Sequence, residues 1–158
     1  MFRFLAQDEL QTRLHRWRMN LLTGVVKEED LTATCSEFGT INAMYAGRPS
    51  RYVYAATNRP GWFLFNGFVK HDTLTGREVR VSLDEGVYCS EIGVAPKVGQ
   101  TGEDDVYLVT YTVDMNRDLS ECVIYDGADV AAGPVAPVGP VAPVAPVNPV
   151  GPMAPVIP

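Results

Sequence analysis

The stretches "VYLVTYTVDMN" at residues 106–116 and "ECVIYDGAD" at 121–129 decide the fold, because only "RDLS" separates them. Val, Tyr and Thr dominate both runs, which is strand composition, and the Asn, Asp and Gly that close them are turn residues. Working outward, the same chemistry recurs in "LHRWRMNLLTG" (14–24), "RYVYAATNRPG" (51–61), "WFLFNGFVKHDTLTG" (62–76) and "EVRVSLDEG" (78–86). Within these, "DTLTGRE" reads as a hairpin turn joining "LFNGFVKH" to "EVRVSL". The only helix-like stretch, "AQDELQTRLHRW", gives its second half to a strand. Short strands about ten residues apart with no helical periodicity between them indicate an all-β antiparallel meander in a sandwich, barrel or propeller.

The chain of 158 residues is 46% hydrophobic and 20% charged, which suits one domain with a real core. A formal net charge of -6 and no Lys/Arg cluster argue against a nucleic-acid partner. No run approaches the roughly 18 apolar residues of a membrane span. In "MFRFLAQDEL", Gln7, Asp8 and Glu9 interrupt the apolar core that a signal peptide needs, so the expected location is cytoplasmic. Cys35, Cys89 and Cys122 are odd in number, widely spaced and free of any Cys-x-x-Cys, and they read as free thiols.

The composition changes at Gly133. From Pro134 to Pro158 a proline stands at every third residue, with Val, Ala and Gly filling most places between. Fixed φ and missing amide donors exclude a helix or a central strand. The expected division is therefore 1–132 for the β domain and 133–158 for a low-complexity Pro-x-x tail. Polyproline II has three residues per turn, so the tail is expected to be a disordered or polyproline rod reaching on the order of 80 Å.

Few residues can carry chemistry. His15 lies inside a strand-like run beside Arg16 and Trp17, and His71 closes a strand next to Asp72; both read as structural. No Gly-x-Ser-x-Gly, Walker or dinucleotide glycine pattern is present. Two acids remain, Glu37 in "CSEFGTIN" and Glu91 in "YCSEIGVAP", each entering what reads as buried chain, where a carboxylate needs a partner. The residues alone leave open whether they are satisfied or exposed acids, or a pair about a common centre.

The ordered set "LHRWRMNLLTG", "EFGTIN", "RYVYAA", "WFLFNGFVKHDTLTG", "YCSEIGVAP", "EDDVYLVTYTVDMNRDLSECVIYDGAD" and "GPVA" resembles the C-terminal part of the carotenoid cleavage oxygenases and their lignostilbene dioxygenase relatives. The resemblance implies the C-terminal blades of a seven-bladed β-propeller. On the propeller axis, four histidines hold a non-haem Fe(II) that activates O2 to cleave a double bond of a carotenoid, apocarotenoid or stilbene. It further implies that Glu37 and Glu91 match acids that hydrogen-bond the outer ring nitrogens of those histidines.

Neither His15 nor His71 matches a ligand position, and the Pro-x-x repeat stands where the family places its fourth histidine. The expectation is that this chain supplies the two orienting acids and does not hold Fe(II) alone. Its expected partners are an N-terminal propeller part or a second copy, meeting at exposed strand edges. The alternative is a non-catalytic partial propeller acting as an interaction module.

Overall fold

The computed structural model describes Glu9, residues 11–58 and residues 64–138. Eleven strands among these residues form three antiparallel sheets. Strands β1 (His15–Met19) and β2 (Val26–Asp30) make a two-stranded hairpin. Strands β3 (Ser36–Thr40), β4 (Tyr52–Thr57), β5 (Gly67–Asp72) and β6 (Glu78–Ser82) follow one another in chain order across a four-stranded sheet. The third sheet holds β7 (Val87–Cys89), β8 (Gly93–Pro96), β9 (Val106–Asp114), β10 (Leu119–Asp126) and β11 (Pro134–Val138). Here β9 and β10 are central, β7 and β8 share the far edge of β9, and β11 closes the other edge.

The run that opened the sequence reading is the spine of this third sheet. Along β9, Val106, Leu108, Thr110, Thr112 and Asp114 are buried, while Tyr107, Tyr111 and Val113 are exposed. This period of two is what a sheet with one covered face dictates. The hairpin predicted at "DTLTGRE" also forms: Asp72 and Arg77 close it, and the Asp72 carboxylate accepts the backbone N–H of Leu74 at 3.0 Å. That Asx turn is the reason for an aspartate at this position.

The covered face of the third sheet packs on the four-stranded sheet. Tyr54 and Phe68 meet Val106, Leu108, Val123 and Tyr125, with Ile92 and Val130 at the margins. The rings of Phe68 and Tyr125 cross edge to face at 4.9 Å. A buried lysine pins the same joint. Lys70 Nζ donates to Asp104 Oδ2 at 2.7 Å, to the Gly127 carbonyl at 2.7 Å and to the Ala128 carbonyl at 3.2 Å. It also lies 4.4 Å from the Tyr52 ring centroid. Each donor of the ammonium is used, as burial of a charge requires.

Strands β2, β3, β7, β8 and β11 lie outside the strand-like runs of the sequence; among them β2 lacks an apolar pattern and β11 carries prolines. The five residues of β2, "VKEED", are all exposed, and what holds them is charge pairing with β1. Arg16 meets Glu29 at 2.6 Å, His15 meets Asp30 at 2.6 Å, and the Trp17 indole donates to Glu28 at 3.0 Å across the ladder. At the other end, the sheet runs past Gly133, where the tail was expected to begin. Pro134–Val138 pairs with β10 as an edge strand, the one place in a sheet that tolerates proline. The polyproline expectation for 139–158 lies outside the described residues.

Candidate functional site

Glu37 sits on β3, an edge of the four-stranded sheet, at the start of an irregularity. Its Cα pairs with Ala56, but the next regular pair is Thr40 with Tyr54, so Phe38 and Gly39 bulge from the ladder. Phe38 takes a left-handed φ of 53°, which costs energy for a residue with a Cβ. Bulges of this kind re-aim the neighbouring side chain. The Phe38 ring is 55% exposed and meets the Phe65 ring edge-on at 5.9 Å.

Phe65 in turn bridges to Cys89, whose backbone N–H donates to the Phe65 carbonyl at 2.9 Å. Cys89 ends β7, and Glu91 follows two residues later, in the connection to β8. The two acids therefore stand on adjoining edges of two sheets, linked through Phe38, Phe65 and Cys89. Ser90 fixes the second turn: its hydroxyl accepts the N–H of Tyr111 at 3.1 Å and its carbonyl accepts the Thr110 hydroxyl at 3.2 Å.

The expectation that both acids are buried is corrected here. Glu37 is half-buried and Glu91 exposed, because each lies on an edge with one uncovered side. No side-chain hydrogen bond or ion pair engages either carboxylate among the described residues.

The histidines are engaged elsewhere. On the outer hairpin, His15 Nδ1 lies 2.6 Å from Asp30. His71, 2% exposed on β5, places Nδ1 3.3 Å from Glu78 Oε1. Glu78 also accepts the hydroxyls of Thr32 and Thr34 and the guanidinium of Arg80. Among the described residues no group of three or more His, Cys, Asp or Glu is arranged to hold a metal ion.

A cleft of about 290 Å³ opens between the two larger sheets, lined by Arg51, Tyr52, Lys70, Asp72, Arg77 and Asp104 among others. Four of its charges pair: Arg51 forks onto Asp72 at 2.9 and 2.7 Å, and Lys70 holds Asp104. It is a joint between sheets, and neither Glu37 nor Glu91 lines it. No described helix is long and apolar enough to cross a membrane.

The sequence pointed to Glu37 and Glu91 but not to Phe38, Phe65 or the Thr32–Thr34–Glu78 fastening. The adjacent Gly39 was the one hint of a bulge. Contacts between residues 44 or 46 positions apart left no local signal.

With this geometry in view, residues 2–144 match the sequence profile of the family described as retinal pigment epithelial membrane protein (RPE65). The chain is 31% identical over 140 residues to the apocarotenoid-15,15'-oxygenase of Synechocystis, covering 85% of this chain and 28% of that protein. It is 30% identical over 144 residues to carotenoid 9,10(9',10')-cleavage dioxygenase 1 of Pisum sativum, covering 82% and 26%. The crystal structure of cobalt-substituted Synechocystis ACO superimposes with a TM-score of 0.78 at 27% identity, over 86% of this chain and 29% of that one. The chain thus spans between a quarter and a third of the length of these relatives.

Proposed function

Because this chain belongs to the retinal pigment epithelial membrane protein family, whose matching relatives are named carotenoid oxygenases, we propose that it forms blades of a propeller enzyme cleaving carotenoid or apocarotenoid double bonds oxidatively. The observation that carries this reading is the placement of Glu37 and Glu91. They occupy adjoining sheet edges, carry no side-chain partner among the described residues, and flank the Phe38–Phe65 contact.

Carboxylates without a side-chain partner suit the task of accepting the N–H of an imidazole brought against them. A histidine so held has one tautomer and a fixed ring plane, and its other nitrogen is a stronger ligand. Non-haem Fe(II), when bound by such histidines, supplies the activation of O2. His15 and His71 are engaged with Asp30 and Glu78, so in this reading the histidines come from other blades of the propeller.

The test is a graft. Residues 11–133 replace the matching part of the Synechocystis apocarotenoid oxygenase, and iron content and aldehyde formation from an apocarotenoid are measured. Glu37→Gln and Glu91→Gln should each lower iron affinity about ten- to a hundredfold. Iron affinity that neither substitution moves would overturn the assignment. The second reading is a non-catalytic partial propeller acting through its surface. A graft that folds but neither binds iron nor forms product is its signature.

A further inference from the structure

One residue of the four-stranded sheet holds a conformation that its side chain disfavours, although a residue free to adopt it stands beside it. Between the Glu37–Ala56 and Thr40–Tyr54 pairs, β3 takes three steps where β4 takes two, so the chain must turn out of the ladder there. In bulges that use a left-handed residue it is ordinarily glycine, which has no Cβ to strain. Here Phe38 takes that conformation, at a φ of 53°, and Gly39 keeps a φ outside the left-handed region. Gly39 is not glycine for want of room. A Cβ added to it would lie 3.4 Å from Val53 Cγ1 and 3.6 Å from Leu14 Cδ1, which are ordinary contact distances.

What this order does provide is a seat for the Phe38 ring. It meets the Phe65 ring edge-on, at an interplanar angle of 88° and a centroid separation of 5.9 Å. Phe65 is itself fixed. It bridges to Cys89, whose N–H donates to the Phe65 carbonyl at 2.9 Å, and the buried Cys89 thiol donates to the Gly67 carbonyl at 3.4 Å. Because more than half of Phe38 is exposed, burial in a core does not hold its strained backbone, and the ring contact is left to do so. The residue just before the strain is Glu37. A rigid trans peptide joins the two, so φ at Phe38 sets the tilt of that plane and with it the direction in which Glu37 leaves the ladder.

We propose that Phe38 and Phe65 are positioning residues: their contact holds the left-handed turn after Glu37 and so aims its carboxylate. This rests on the reading of Glu37 as the acceptor of a histidine N–H. It adds the device by which an acid with no side-chain partner among the described residues keeps one direction.

The conformational half is read by NMR on the full 158-residue chain. A positive φ brings an amide proton close to its own Hα, so Phe38 should give a strong intraresidue cross-peak between them. Phe65→Ala should abolish that cross-peak, and Phe65→Tyr, which keeps the ring, should preserve it. Phe65→Leu should weaken it and replaces the alanine variant if that one fails to fold. Cross-strand peaks between β9 and β10 report that each variant is folded. A Phe38 cross-peak at full strength in the folded alanine or leucine variant would overturn the proposal, since the backbone alone would then hold the turn.

The functional half uses the graft into the Synechocystis oxygenase. There Phe65→Ala should lower iron affinity about tenfold, should add nothing to Glu37→Gln in the double variant, and should be rescued by Phe65→Tyr. A changed KM for the apocarotenoid at unchanged iron affinity would overturn the proposal as well, because the rings would then serve the substrate and not Glu37. If Glu37→Gln itself leaves iron affinity unmoved, the histidine reading fails, and the Phe38 cross-peak still decides whether the ring contact sets the turn.

Discussion

Glu78 accepts the hydroxyl of Thr34 at 2.6 Å, and through this contact the segment leading into β3 is fastened to β6, the opposite edge of the same sheet. Thr32 and Arg80 share the carboxylate, and His71 lies 3.3 Å away. Burial alone would raise the Glu78 pKa, but the hydroxyls of Thr32 and Thr34 and the Arg80 guanidinium outweigh it and bring it down to about 2.

The sign of the pH dependence follows. A carboxylate lowered from 4.5 unfolded to about 2 folded contributes stability that is complete above pH 4.5 and is lost as pH falls toward 2. Glu78→Gln should cost on the order of 2 kcal/mol at pH 7, and its deficit against the parent chain should shrink steadily between pH 4.5 and 2. Urea unfolding at several pH values checks this; a deficit that does not vary with pH would mean that packing and not charge is lost.

Lys70 ties the two large sheets through one carboxylate and two carbonyls. Lys70→Ala should cost about 2–4 kcal/mol, because the buried Gly127 carbonyl and the partly buried Asp104 carboxylate lose their donor. Lys70→Met, which keeps the stem over Tyr52, should cost less. Equal losses in equilibrium unfolding would assign the whole effect to the ammonium and none to the stem.

Tyr54 and Phe68 test the same joint from its apolar side. Phe68→Ala should cost about 3–5 kcal/mol, the range for deleting a buried ring. Tyr54→Phe should change stability by less than about 1 kcal/mol, since its hydroxyl reaches only to 3.5 Å from the Gly127 carbonyl.

Two glycines should respond differently to alanine. At Gly67 a Cβ would fall on the Val81 carbonyl oxygen, a backbone atom held in the β5–β6 ladder. At Gly76, φ is +74° but the space is open, so the cost is conformational, about 1 kcal/mol. Thermal denaturation should therefore rank Gly67→Ala well below Gly76→Ala; the reverse order would contradict the backbone clash.

Substituting both Glu37 and Glu91 by Gln should leave the stability of this chain within about 0.5 kcal/mol, as expected for acids that engage no other side chain. A clear loss would reveal a partner in the chain itself and remove the basis for assigning them to histidines from outside.

The all-β character, the hairpin at 72–78 and the spine of β9 and β10 were legible because composition, turn chemistry and spacing are local properties. The order of strong segments also carried the resemblance to carotenoid oxygenases, and with it the two acids. β2 was not legible, since its strand is made by the charges of β1 and not by an apolar pattern of its own. The contact of Phe38 with Phe65 and the bridge from Phe65 to Cys89 depend on pairings far apart in sequence. Proline spacing by itself forbade a helix or a central strand beyond Gly133. That Pro134–Val138 nevertheless enters the sheet was decided by β10, whose open edge pairs with it across one irregularity in register.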